Sequence, residues 1–416
     1  MDIVIAGAGI GGLSLALSLH NNRIGDSITL LEAAPEIRPL GVGVNLPPHA
    51  TRELFELGLQ PALAAVGIET SHLTYYDPSG RELWAEVRGR DAGYDWPQYS
   101  IHRGALQMIL RDACLQRLGP DAIRTGCRVT GVTPEPTSTE VIYQQDGRAR
   151  RLSADLLVGA DGIRSAVRDS LRRQPTELAW NGWIMYRGTT VADPFLDGRT
   201  MVIVGDETLR VVVYPIERHP DGRVTLNWIL SCKGSADSGV DFGNWNRPSD
   251  PGALAAMVDG WTFDWLDIHG LIGSAREAYE YPMVDFEPLD RWTYRRATLL
   301  GDAAHAMYPF GSNGASQSIL DARFLARELA LHGIDVALAT YETARIPVTA
   351  AVQQANRRQA DETMRRVSDL ARARAGDAAR EELQNHERKY KRLAGFDRDE
   401  LNNRESWSVV RSSRSA

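Results

Sequence analysis

Gly7-Ala8-Gly9-Ile10-Gly11-Gly12 has the spacing G-x-G-x-x-G, and Glu32 stands 20 residues beyond its last glycine. These residue types at this spacing suit a dinucleotide. Gly7 makes a tight turn, Gly9 carries no Cβ to block a pyrophosphate, and Gly12 lets a helix pack closely on a strand. The helix N-terminus offers free N–H groups and the positive end of its dipole. Glu32 can accept two hydrogen bonds from a ribose diol. The spacing alone leaves NAD and FAD both open.

Two later stretches narrow the choice. In "LLVGADGIRSAVR" an apolar run leads into Gly159-Ala160-Asp161-Gly162. Asp161 can cap the helix that begins near Arg164-Ser165, and Arg164 and Arg168, four apart, share one face of it. In "ATLLGDAAHAMYPFGSNGASQSILDA" an apolar run halts at Gly301-Asp302, and small residues, Pro309 and the turn 311–315 follow before a helical pattern from Gln317. An Asp at a strand end can accept a ribityl hydroxyl. Backbone N–H groups at the next helix N-terminus suit the pyrimidine edge of a flavin, which becomes anionic on reduction. The small side chains let the backbone lie against a flat ring.

The elements that must carry these residues follow from periodicity. A strand at 2–6, a helix at 10–22 and a strand at 27–32 make one βαβ unit. A Gly/Pro-rich loop enters a helix within 35–60, with Pro47 at its entrance. Residues 70–101 are β-rich, with "HLTYYDPSGRELW" a hairpin turning at Pro78-Ser79-Gly80, and 102–119 form a helix. Strands return over 126–160 with a hairpin over Asp146-Gly147. From 178 to 285 the pattern is strand-heavy and aromatic, with Trp180, Trp183, Tyr186, Tyr214 and Trp228, and predicts a second sheet walling a cavity. Helices fill 317–390, and a polar tail from Gly395 is expected to be loose or packed on a neighbour.

The three stretches together resemble the single-component (group A) FAD-dependent aromatic hydroxylases of the p-hydroxybenzoate hydroxylase fold, over roughly residues 1–350. The wording "GSNGASQSILDA" and "WNGWIMYRGTT" is similar to the phenazine-modifying flavoprotein monooxygenases. The implied fold class is α/β: a Rossmann-like FAD-binding domain of GR2 type with an inserted β-sheet substrate domain and C-terminal helices. The implied division is 1–70, 101–177 and 286–350 for the FAD domain, 71–100 and 178–285 for the substrate sheet, and 351–416 for helices and tail.

The resemblance also implies roles. Gly7, Gly9, Gly11, Gly12 and Glu32 hold the FAD pyrophosphate and ribose, Arg38 lies at the phosphates, and Arg103 contacts FAD at a helix entry. Asp161 serves FAD and a transient nicotinamide nucleotide, and Asp302 serves the ribityl chain. Gly314 and Ala315 offer backbone N–H groups to the pyrimidine, and Pro309 sits beside the reacting face. The usual G-x-G-x-N of this loop here reads G-S-N-G-A, a departure at the position of the backbone donor. NAD(P)H reduces the FAD, O2 forms a C4a-hydroperoxide, and oxygen passes to an aromatic or heteroaromatic small molecule. Water must be kept out of such a site.

Trp183, Tyr186, Arg187, Tyr214 and Pro309 are the expected substrate contacts. Tyr186, Tyr214 and Pro309 are the expected catalytic set, a tyrosine hydrogen-bonding or ionising a substrate hydroxyl. The same aromatics would also serve as ordinary core beneath a sheet. His305 and His49 read as packed residues. The alternatives are N-hydroxylation, epoxidation or Baeyer–Villiger insertion, then a flavin dehydrogenase or a flavin-binding sensor. The W-x-W-x-I-P string of flavin halogenases is absent, since Trp261 and Trp265 are four apart.

Bulk properties agree. A chain of 416 residues can hold two domains and a large core. Its net charge of −7 argues against a general nucleic-acid binder. No stretch approaches the ~18 apolar residues of a membrane span, and the N-terminus lacks a basic leader. Cys114, Cys127 and Cys232 form no C-x-x-C, which suggests a reducing cytoplasm and buried thiols, and no metal site is expected. A monomer or homodimer is expected, the latter through the charged C-terminal helices.

Overall fold

In the computed structural model, which describes residues 1–234, 247–372 and 377–409, parallel strands form the nucleotide sheet. Their order is Ala297–Leu299, Leu156–Gly159, Asp2–Ala6, Ser27–Leu31 and Ile123–Arg124. The strands Asp2–Ala6, Leu156–Gly159 and Ala297–Leu299 are near-continuous apolar runs, as expected of parallel strands covered on both faces. Helices Ile10–Asn21, Arg103–Leu118 and Gly314–Leu331 pack on one another beside it. The first is buried from Leu13 through Leu19 without a polar stripe, which marks a helix enclosed on all sides.

The larger sheet has eight strands, ordered Arg247–Ser249, Ala278–Asp285, Ala179–Ala192, Val224–Lys233, Leu209–Arg218, Met201–Gly205, His72–Tyr76 and Glu82–Val87. Pairing is antiparallel except where Met201–Gly205 runs parallel to His72–Tyr76. Successive side chains point to opposite faces. Val202, Val204, Val211, Val213, Leu226 and Trp228 therefore form one buried face. It is covered by short helices Pro251–Ala256 and Ile268–Gly273, capped by Asp250 and Asp267. The opposite face looks toward the nucleotide domain. A third, three-stranded sheet (Arg128–Pro134, Thr139–Gln145, Arg148–Ala154) turns at Asp146-Gly147, both at positive φ, the pattern of a tight hairpin.

Long helix Ile334–Arg372 and helix Asp377–Leu393 follow. The tail corrects its expectation: through residue 409 it packs on its own chain. The Arg52 guanidinium donates to the carbonyl of Leu401 at 2.9 Å. Arg404 pairs with buried Glu53, and Trp407 meets Phe324 edge-on at 5.5 Å. The reason is charge. Arg323 and Glu53 are fully enclosed and pair at 2.9 Å, and buried ions need further partners. The polar tail completes that cluster. Residues 410–416 lie outside the described residues. Among the described residues no helix is long and apolar enough to cross a membrane.

Candidate active site

Glycines bring the three stretches together. Gly7 has φ +101°, and a Cβ there would lie 2.4 Å from the Ala160 carbonyl oxygen. One at Gly11 would lie 2.7 Å from Leu300, and one at Gly12 only 2.1 Å from the Gly7 oxygen. The first helix is thus pressed onto the strand ends that carry the other two motifs. Gly9 differs: nothing lies within 4 Å of an added Cβ, and the residue lines a cavity of about 460 Å³.

Gly314, Ala315, Pro309, Asp302 and Arg103 line the same cavity. Helices Ile10–Asn21 and Gly314–Leu331 both lack a side-chain cap and an acid in the first turn. Two bare, positive helix ends thus open on one space. That space fits FAD, which carries a pyrophosphate at one site and an anionic pyrimidine edge, when reduced, at another. Glu32 accepts from the backbone N–H of Ala8 at 2.8 Å and of Ala34 at 2.7 Å. These bonds fix the carboxylate and leave each oxygen a second lone pair.

Asp302 opens the short helix Asp302–His305 and is exposed to the cavity. Beneath it, the Gly301 N–H donates to Asp321 at 3.1 Å. His305 lies 2.6 Å and Arg345 2.7 Å from the same carboxylate. Burial pushes the Asp321 carboxyl up, but the His305 and Arg345 contacts outweigh it and hold it at about 2. His305 is therefore a packed residue. His49, stacked on Phe396 at 4.7 Å, is packed too, and burial presses its imidazole down to about 3. Asp161 is turned to its own helix. Its carboxylate accepts from Ser165 Oγ and from the Val167 N–H at 3.1 Å, and its neighbours Ala160 and Gly162 face the cavity instead.

Arg38 does not join the site. Its side chain is 66% exposed and pairs with Glu36 at 2.7 Å, because the loop aims it at solvent beside an acid two residues away.

The large sheet forms the cavity floor, and its alternation decides which side chains reach it. Arg187, Ile229, Val212, Ile203 and Tyr75 align across neighbouring strands, and all line the cavity. Tyr214 lines it as well and is hydrogen-bonded to Arg187. Burial pushes the Tyr214 phenol up to about 12, so it is a neutral donor. Arg187 also donates to the Gly43 carbonyl at 3.0 Å. Tyr186, one residue from Arg187, points to the opposite face and packs against the cluster around Trp228. Its expected substrate and catalytic contact is corrected by this parity. Trp183 is buried one row behind the lining, with the Arg210 guanidinium 4.2 Å above its ring, so it supports the wall without forming it.

Sequence reasoning missed Arg210, Arg88, Tyr75, Glu387 and Tyr390, all in the lining. Arg210 had a signal: it shares the period-2 face of Val212 and Tyr214. Glu387 and Tyr390 had none within a charged helical stretch.

A cavity with two bare helix N-termini, a fixed acid at a strand end and a glycine-thinned wall defines an FAD-binding oxidoreductase. The chain belongs to the FAD binding domain family, whose model matches residues 1–223 and 271–356. It is 47% identical over 363 residues to the phenazine 1,6-dicarboxylic acid hydroxylase PhzS of Lysobacter antibioticus, covering 86% of this chain and 89% of that protein. It is 31% identical to 3-hydroxybenzoate 6-hydroxylase 1 of Aquipseudomonas alcaligenes, covering 86% and 89%. Among solved structures, HpxO of Klebsiella pneumoniae complexed with FAD and uric acid superposes with a TM-score of 0.72 at 23% identity, over 97% of this chain and 95% of that one. The protein is an FAD-dependent monooxygenase of the aromatic hydroxylase type.

Proposed function

We propose that this enzyme hydroxylates a fused, polycyclic aromatic acid of the phenazine-carboxylic kind, with NAD(P)H and O2 as co-substrates. The observation that carries the reading is the floor of the cavity. Arg187 and Tyr214 stand at one side and the apolar Val212, Ile229 and Ile203 lie between, with Tyr75 and Arg88 beyond. At ~4.8 Å per strand the row from Arg187 to Tyr75 spans about 19 Å between backbones. With long side chains reaching inward, a single ring would bridge only part of that length. The hydroxylase of a phenazine dicarboxylic acid named above supports the same class.

Bound FAD supplies the reducing equivalents from NAD(P)H and the activation of O2. The chain's own groups do the rest. The backbone N–H groups of Gly9, Gly314 and Ala315, with Glu32, Asp302 and Arg103, hold and orient the flavin. Pro309 and Phe310 line the cavity beside these groups and would lie against the ring system. Arg187 fixes a substrate carboxylate: its Nε has no hydrogen-bond partner among the described residues although it is buried, and such donors need one. Tyr214, kept neutral, donates to the same group or to a substrate hydroxyl. Met185, Met283, Val212 and Ile229 exclude water. The free thiols Cys114, Cys127 and Cys232 fit a reducing cytoplasm.

The test is a substrate panel on the yellow holoenzyme, with phenazine-1-carboxylic acid and 3-hydroxybenzoate as the key pair. Product-coupled NAD(P)H oxidation should favour the phenazine acid. Arg187→Met should raise its KM about tenfold or more, the scale of a lost charge-assisted bond, with flavin content unchanged. Preference for the single ring, or an unaltered KM, would remove the reading.

A further inference from the structure

We propose that Tyr390, on the C-terminal helix, is a positioning residue for oxygen transfer: its hydroxyl locks the turn 308–313, and with it the backbone donors and side chains that set where the flavin lies. The inference rests on the place given to FAD in the cavity, and not on which aromatic acid is the substrate. Helix Asp377–Leu393 lies beyond residue 356, where the family match ends. Even so, Tyr390 lines the cavity together with the turn.

The turn needs to be held. Gly311 has φ +67° and Ser312 φ +55°. Left-handed backbone at consecutive residues, one of them not glycine, is costly and persists only where the surroundings impose it. Pro309, Phe310 and Gly311 line the cavity, and Gly314 and Ala315 follow as the first residues of the next helix. A small tilt of the turn would therefore move the ring-facing residues and the helix N–H groups together.

Tyr390 supplies the hold. Its hydroxyl accepts from Asn313 Nδ2 at 2.7 Å and donates to Asn356 Oδ1 at 2.8 Å. The two amides complete a frame. Asn313 Nδ2 also donates to the Gly311 carbonyl at 3.0 Å, and Asn356 Nδ2 to the Tyr308 carbonyl at 3.0 Å. One hydroxyl thus joins the carbonyls on either side of Pro309 and Phe310. Tyr390, Asn313 and Asn356 are all buried, so a broken bond in this frame leaves a desolvated group unpaired. The phenol also fixes the shape of the turn: a Cβ on Gly311 would lie 2.1 Å from Tyr390 Oη. Two further bonds anchor the frame at its edges. Gln353, three residues before Asn356, donates to the Ala306 carbonyl at 2.8 Å. Gln317 Nε2 donates to the Ala394 carbonyl at 2.9 Å, which ties the end of the Tyr390 helix to the helix Gly314–Leu331.

The experiment compares the wild type, Tyr390→Phe, Asn356→Leu and the double variant as FAD holoenzymes. Amide hydrogen exchange over residues 308–316 should quicken about tenfold in Tyr390→Phe, the scale of one lost buried hydrogen bond, and stay unchanged in the nucleotide sheet. The visible flavin band, which reads hydrogen bonds and polarity at the ring, should shift. With phenazine-1-carboxylic acid, the fraction of NAD(P)H oxidation that yields product should fall about threefold or more, with KM within about twofold and peroxide making up the difference. Asn356 is not among the residues that line the cavity. Asn356→Leu should therefore reproduce these effects through position alone, and the double variant should be no worse than the singles. Unchanged exchange over the turn, or full coupling with an unshifted band, would reduce the Tyr390 hydroxyl to a structural bond and overturn the inference. Wild-type behaviour in Asn356→Leu would also overturn it, because Tyr390 would then act by direct contact. A wild type that does not turn over the acid removes the substrate reading alone, and the exchange and the flavin band then decide this inference.

Discussion

Gly9 and Gly12 belong to one motif and have opposite surroundings. Gly12 has the Gly7 oxygen 2.1 Å from where its Cβ would be, while Gly9 has open cavity. Gly9→Ala should therefore leave the thermal midpoint of the flavin-free protein unchanged and weaken FAD binding about tenfold or more, read by flavin titration; the scale is that of lost close phosphate contacts. Undiminished affinity would take Gly9 away from the phosphates. Gly12→Ala should cost about 2 kcal/mol of folding stability or more through overpacking, visible in denaturant melts. These backbone roles were legible because glycine spacing encodes them locally. The cap expected of Asp161 was legible only in part: Ser165 is the N-cap and accepts from the Arg168 N–H, while Asp161 backs it through Ser165 Oγ and the Val167 N–H, and Asp161→Ala should cost about 1 kcal/mol in a denaturant melt. The phase of the strand Ala179–Ala192 was not legible. Its pairing shifts register between Trp180 and Ile184, and Gly182 sits at φ +84°. That irregularity decides that Arg187 faces the cavity and Tyr186 does not, and it depends on strands distant in sequence.

Among elements, the helix Gly314–Leu331 is held from behind by a buried polar chain. Asp321 joins His305 and Arg345, and Arg345 reaches Gln317 at 2.6 Å. Asn313 then meets Tyr390 at 2.7 Å. The ordinary carboxyl value is 3.8 and the folded one about 2. A depressed folded pKa contributes stability above the unfolded value, which is lost as pH falls through the folded one. Acid titration of stability should show this loss between 3.8 and about 2, and Asp321→Asn should flatten it while costing about 3 kcal/mol at neutral pH, because a buried partner is removed. A variant as stable as wild type at neutral pH would refute the role of this chain. Tyr390 presses where a Cβ on Gly311 would stand, 2.1 Å away. The order of strands and helices was readable from periodicity. The return of the C-terminal helix to the flavin turn was not, because its sequence shows only a solvated, charged pattern.

At the scale of the whole molecule, a chain of net charge −7 encloses a cavity lined by Arg88, Arg103, Arg187 and Arg210. Local field, rather than net charge, selects the ligand in such a cleft. The nucleotide domain supplies one wall of that cavity and the eight-stranded sheet its floor, so neither alone encloses it. Fold class and cofactor were carried by three short motifs in order. Substrate class was not, since it depends on one face of a sheet whose strands come from residues 72 through 285. The most direct measurement is turnover of a phenazine carboxylic acid under isotopically heavy O2, with mass analysis of the product. Incorporation of a single heavy oxygen atom into the ring, matched to NAD(P)H consumed, is the outcome expected here. NAD(P)H consumption that yields only peroxide, or product whose oxygen comes from water, would contradict it.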